Sequence, residues 1–222
     1  MPSSIPRIRR RRRNNRGRKG KADEGAQAPF SFAARRAMWG HRVGQGTAGV
    51  KIIGFTGWSG AGKTQLIVRL IPILRARGLT VSTIKHAHHG FDIDRPGKDS
   101  HNHRLAGARE VLISSGRRFA LMHELHGAEE WQLGQLIRLV APVDLLFVEG
   151  FKRDPHPKIE VFRAENGKPA LWPDNPTIRA LASDQPFPEA GIPVYHLDSV
   201  EEIANAVVQL AVPLDSVFPG GA

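Results

Sequence analysis

The stretch Gly57-Trp58-Ser59-Gly60-Ala61-Gly62-Lys63-Thr64 fits the phosphate-loop pattern G-x-x-x-x-G-K-[ST] at each fixed position. Residues 50–56 before it are apolar and β-branched over the length of a strand. Behind it, Leu66, Ile67, Val68, Leu70 and Ile71 continue at helical spacing. Strand, glycine loop and helix start form the context in which the pattern carries chemistry. Glycines at 57, 60 and 62 allow positive φ and inward-facing N–H groups, and the helix presents its positive dipole end to an anion. The expected ligand is the phosphate tail of a nucleoside triphosphate. Lys63 is expected on its β- and γ-phosphates and the Thr64 hydroxyl on Mg²⁺.

Working outward, the helix is expected to run to Arg77, with a kink at Pro72 and a stop at Gly78. A second strand over 79–85 completes a β-α-β unit, and 86–99 reads as a polar loop. Asp99 or Ser100 is positioned to cap a short helix through Ala108. Residues 110–114 and part of 117–125 read as strands, and 128–140 has helical periodicity. Residues 144–150 are continuously apolar up to Glu149, the signature of a central parallel strand covered on both faces. Shorter strands are expected over 158–162, 180–183 and 194–197. Ser199 with Glu202 forms a capping box for a closing helix to about Leu210. Alternating strands and helices predict a layered α/β domain with a largely parallel sheet and ligands at the carboxyl ends of its strands.

Charge divides the chain sharply. Residues 1–49 hold 13 Lys and Arg against 2 Asp and Glu, whereas residues 50–222 hold 19 of each, so the net charge of +11 belongs to the N-terminal tail. The expected organisation is a basic, disordered tail over 1–49 and a nucleotide-binding domain over 50–215. Only the tail offers a route to nucleic acid, through phosphate contacts. There are no cysteines, which excludes disulfides and thiolate metal sites. No apolar run reaches the length of a membrane span, and the expected location is the cytoplasm.

Beyond the loop, Glu149 closes its strand at the edge where a second acidic group contacts Mg²⁺ or orients water. Asp92 and Asp94 are further candidates, Asp94 the preferred one, because a loop there can close onto the γ-phosphate and metal. Five histidines, at 86, 88, 89, 101 and 103, raise the question of a transition metal, but no cysteine assists them. There is no N-K-x-D motif, so guanine does not follow from spacing. Trp58 stands where a subgroup of dimerising ATPases carries a lysine, which disfavours that subgroup. A small-molecule kinase uses the same loop, with Arg117 and Arg118 as its lid candidates. A nucleotide-switched RNA-binding or assembly protein is the third class, and the neutral domain argues against it.

Taken together, the phosphate loop, Thr83-Ile84-Lys85-His86, Asp92-Ile93-Asp94-Arg95-Pro96-Gly97-Lys98-Asp99-Ser100, Ala106-Gly107-Ala108 and Val148-Glu149-Gly150-Phe151-Lys152 resemble the MobB family of molybdopterin-guanine dinucleotide biosynthesis adaptors. Pro157-Lys158-Ile159-Glu160-Val161 and Ala180-Leu181-Ala182-Ser183-Asp184 fit as well, and the likeness spans roughly residues 50–210. The basic tail departs from it. The resemblance implies a dimeric GTP-binding protein with weak GTPase activity, acting on molybdopterin beside the guanylyltransferase MobA. In that reading it is MobA that attaches GMP to molybdopterin, and this chain assists; the resemblance also implies phosphate and Mg²⁺ binding by residues 57–64, a metal and switch role for Asp94 and Glu149, and a base near 180–184.

Overall fold

A computed structural model describes residues 49–87 and 90–219; the expectations for the tail, and for His88 and His89, lie outside these residues. Strand β1 (Lys51–Thr56) leads into the loop, and helix α1 (Lys63–Ala76) leaves it. Strand β2 (Val81–Lys85), helix α2 (Asp99–Leu105) and the hairpin strands β3 (Glu110–Ser114) and β4 (Phe119–His123) follow. Helix α3 (Leu133–Ile137) precedes β5 (Leu145–Glu149), and β6 (Lys158–Phe162), β7 (Ile178–Ser183) and β8 (Val194–His196) extend the sheet. Helix α4 (Val200–Leu210), β9 (Val212–Pro213) and α5 (Leu214–Val217) close the chain.

The sheet runs β2-β5-β1-β6-β7-β8, all parallel, with β9 antiparallel to the start of β1. Period-two alternation sends side chains to opposite faces. Ile53 and Phe55 of β1, with Leu145 and Phe147 of β5, face α1 and α4 through Leu66, Leu70, Leu74, Ile203 and Val207. Ile52, Leu146 and Val148 face Leu133 and Ile137 of α3 and Leu214 of α5. Helices therefore cover both faces, and residues 52–55 of β1 and 145–148 of β5 are continuously apolar because neither face meets water there. Phe55 and Phe147 meet edge to face at 4.9 Å between centroids, and each fully buried side chain of this kind contributes roughly 1.5–3 kcal/mol.

The expected stop at Gly78 holds, and several other boundaries differ from the sequence expectation for local reasons. The stop at Gly78 is a Schellman closure: Leu79 N–H donates to Leu74 O at 3.1 Å, and Gly78 N–H donates to Arg75 O at 3.0 Å with φ +83°. The short helix α2 is entered from Lys98, not capped by Asp99 or Ser100, because the Ser100 hydroxyl donates to Asp94 instead. Helical structure in 128–140 contracts to α3, whose capping box joins Gln132 and Gln135. Ser199 is the N-cap of α4 without a side-chain hydrogen bond, so the expected capping box with Glu202 does not form. β3 and β4 pair only with each other, outside the parallel sheet.

Candidate functional site

Three strands fix the site. β1 delivers the loop, β5 delivers Glu149 in register with Phe55, and β2 delivers Lys85 opposite Glu149. All three run parallel, so their carboxyl ends converge at one edge. Within the loop Gly57, Gly60 and Gly62 have φ of +135°, +82° and +94°. A Cβ on Gly57 would lie 2.3 Å from Val161 O, so only glycine lets the loop pass the neighbouring β6. Ala61 is buried beneath the loop, and Ser59 and Gly60 form its exposed crest. The Lys63 ammonium donates to Gly57 O at 3.0 Å and Trp58 O at 2.8 Å, which holds it across the loop mouth. Burial pushes its pKa down, Glu149 opposes the fall, and Lys152 and Lys85 add to it.

At the foot of the loop the Thr64 hydroxyl donates to Glu149 Oε1 at 3.0 Å, with Oε2 at 3.2 Å. Lys85 Nζ lies 3.1 Å from both Thr64 Oγ1 and Glu149 Oε1. A hydroxyl, a largely enclosed carboxylate and a cation thus meet at one point. Hard oxygen donors of this kind suit Mg²⁺, which Thr64 and Glu149 would hold. The donor set therefore fits the nucleotide and metal that the sequence implies. Glycines at positive φ would admit the phosphates, Lys63 would meet their charge, and Thr64 with Glu149 would offer the metal two oxygens.

Asp94 belongs to a different cluster. Its Oδ1 accepts from Arg95 N–H at 2.9 Å and from the Ser100 hydroxyl at 2.8 Å, and its Oδ2 faces Arg104 Nε at 3.6 Å. Arg104 also binds Asp92 at 2.6 Å and Glu124 at 2.9 Å, and these two hydrogen bonds raise its pKa. This clamp ties the 90–98 loop to α2 and to the end of β4. The structure brings Thr64, Glu149 and Lys63 together and holds Asp94 in a separate salt-bridge network. Among the described residues no group of three His, Asp or Glu side chains is arranged to hold a metal ion; His86 instead pairs with Glu130 at 2.8 Å and packs on Phe151. Arg117 and Arg118, the lid candidates of a kinase reading, sit exposed in the β3–β4 turn, where the Arg118 carbonyl accepts from Ser115.

Sequence reasoning missed the wall on the other side of the loop. Trp58 Nε1 donates to Pro169 O at 2.7 Å, with Lys152 Nζ 4.9 Å from the centre of its ring. Asn166 Nδ2 donates to Ser59 O at 3.4 Å, and the Arg163 guanidinium lies against Gly62. Lys85 was quoted only as part of a family stretch; its place at the carboxyl end of a parallel strand was the signal that marks it.

A parallel α/β sheet with a glycine loop between its central strand and first helix defines a phosphate-loop type of protein. Residues 52–184 match the family described as MobB, Molybdopterin guanine dinucleotide synthesis protein B, and the chain belongs to that family. It is 39% identical over 163 residues to the molybdopterin-guanine dinucleotide biosynthesis adapter protein of Escherichia coli K12, covering 72% of this chain and 93% of that one. The adapter protein of the same description from Haemophilus influenzae is 36% identical over 160 residues, covering 71% and 88%. A crystal structure of molybdopterin-guanine biosynthesis protein B superposes with a TM-score of 0.58 at 30% identity, covering 72% of this chain and 99% of that one. Among the described residues no helix is long and apolar enough to cross a membrane.

Proposed function

We propose that this chain is a cytoplasmic, GTP- and Mg²⁺-binding adapter in molybdopterin-guanine dinucleotide biosynthesis, with weak GTPase activity, working beside the guanylyltransferase MobA that attaches GMP to molybdopterin. The observation that carries the nucleotide part is the Thr64–Glu149 hydrogen bond at the foot of a complete phosphate loop. The names of the relatives carry the pathway. Gly57 through Gly62 cradle the phosphates with backbone N–H groups, Lys63 neutralises them, and Thr64 and Glu149 hold the metal. Mg²⁺ supplies charge neutralisation at the phosphates. Glu149, close to both the metal position and the loop, is the residue placed to orient water for slow hydrolysis. Asp94 acts indirectly in this reading, because the Arg104 clamp positions the loop that borders the site.

The homodimer is part of the proposal. Leu112, Ile113 and Leu121 of the β3–β4 hairpin are exposed apolar side chains on strands that extend outside the central sheet, a surface that a second copy would cover. Calorimetric titration with GTP, ATP and GDP, with and without Mg²⁺, tests the nucleotide reading. GTP binding that strengthens with Mg²⁺ and exceeds ATP binding is expected; ATP preference would replace the adapter with a kinase. Affinity for the guanylyltransferase, measured with GTP, GDP and no nucleotide, tests the adapter role, and light scattering of the free protein tests the dimer.

A further inference from the structure

The phosphate loop has two flanks, and only one of them carries the metal group. On the β5 side stand Glu149, Thr64 and Lys85. On the β6 side stands Arg163, the first residue after β6, brought to the same sheet edge because β6 runs parallel to β1 with Glu160 opposite Thr56. Its Nε lies 3.2 Å, its Nη2 3.6 Å and its Cζ 3.9 Å from the point where a Cβ on Gly62 would stand, so the guanidinium rests against the bare Cα of that glycine. Three other cations around the loop are engaged: Lys63 with loop carbonyls, Lys85 with Glu149, Lys152 over Trp58. Arg163 makes no hydrogen bond or ion pair through its guanidinium among the described residues. Asp184 is its neighbour across the β6–β7 register, where Phe162 pairs with Ser183, but Asp184 accepts from the Ala164 backbone at 3.0 Å instead.

A half-buried guanidinium without a carboxylate, at the edge of a ligand loop, is a planar cation with a free face. A bound triphosphate chain has two ends. Its metal-bound end is drawn to the Glu149 flank, so its nucleoside end leaves toward the opposite flank, over β6 and β7. We propose that Arg163 is the nucleoside-contacting residue of this site, its guanidinium plane lying on the purine ring. The contact is a cation–π stack of a kind that arginine forms and lysine reproduces poorly. Asn166, which ties the 163–166 turn to Ser59 of the loop, holds that wall in place. This inference rests on the nucleotide-binding reading above.

The experiment compares GTP, GDP and Mg²⁺–tripolyphosphate, the last carrying the phosphate chain without a nucleoside. Arg163→Ala is expected to weaken GTP and GDP alike, roughly tenfold as the loss of one stacked cation implies, while tripolyphosphate affinity and melting temperature stay as in the wild type. Arg163→Lys is expected to restore little of the loss. Equal weakening of all three ligands, or full rescue by lysine, would make Arg163 a phosphate cation and overturn the stack. A lowered melting temperature with weakened tripolyphosphate binding would make it a brace of the loop, with the same consequence. Wild-type protein that binds tripolyphosphate as tightly as GTP would remove the nucleoside subsite; GTP and tripolyphosphate binding left unchanged by Lys63→Ala would remove the phosphate-loop reading from which it starts.

Discussion

Lys63 illustrates how one side chain can matter to the ligand and little to the fold. Its ammonium makes two hydrogen bonds, both to carbonyls of its own loop, and its removal leaves no other polar partner buried. Lys63→Ala is therefore expected to keep its melting temperature within a few degrees while losing triphosphate affinity by about a hundredfold or more, the loss of two charge-assisted hydrogen bonds. Titration calorimetry beside a thermal melt separates the two effects. Thr64→Ala should behave differently. It removes the proposed metal oxygen and one of the two partners of Glu149, so affinity without Mg²⁺ should stay near the wild-type value while the gain on adding Mg²⁺ shrinks. A full Mg²⁺ response in that variant would show that the hydroxyl is not a ligand.

At the scale of elements, β6 decides the shape of the wall beside the loop, and it does so with a buried carboxylate. Glu160 is fully enclosed; burial pushes its pKa up, and the two backbone N–H groups it holds, together with Lys152, pull it down. Its oxygens accept from Leu171 at 2.8 Å and Trp172 at 2.9 Å, so one side chain anchors the return of the 163–172 segment. Glu160→Ala would leave both partly buried donors unpaired, and chemical denaturation should show a loss of about 2–4 kcal/mol. Glu160→Gln keeps one acceptor and should lose roughly half as much. This strut was not legible in the sequence, where Glu160 stands among alternating apolar neighbours and gives no sign of which backbone it will meet. By contrast the parallel sheet was legible, because β1 and β5 each carry an uninterrupted apolar run, residues 52–55 and 145–148, and the glycine loop fixes a strand before it and a helix after it. The hairpin strands were found but not their separation from the sheet, since pairing partners are set by tertiary contacts and not by periodicity. The surroundings of Asp94 were hidden for a similar reason: a polar loop shows its carboxylates, but Arg104, which contacts both Asp92 and Asp94, lies on the following helix.

For the molecule as a whole, acid stability turns on His156, a fully buried imidazole wedged against Gly54 of β1 and the stem of Lys158. A Cβ on Gly54 would lie 2.5 Å from His156 Nε2, so the strand that carries the phosphate loop and the segment before β6 interlock at this ring. Neither ring nitrogen has a hydrogen-bond partner. Burial, reinforced by the Lys158 ammonium, pushes its pKa down to about 3 from an ordinary value of 6.5. Nearby, Lys158 donates to the carbonyls of Asp154 and His156 and to the Thr177 hydroxyl, and burial lowers its own pKa to about 8. The sign for His156 follows from counting protons. Between pH 6.5 and 3 the unfolded chain carries a proton on this ring and the folded chain does not, so falling pH favours unfolding by about 1.4 kcal/mol per unit. Above pH 6.5 both states are neutral there and the effect vanishes. Urea denaturation across this range should show the wild type losing about 2 kcal/mol between pH 6.5 and 5 from this group alone. His156→Leu, which fills the same space without a titrating nitrogen, should lose correspondingly less over the same interval, even if its stability at pH 7 differs. Parallel curves for the two proteins would mean that the ring gains a proton or a water while folded, and that β1 and β6 are not sealed at this point.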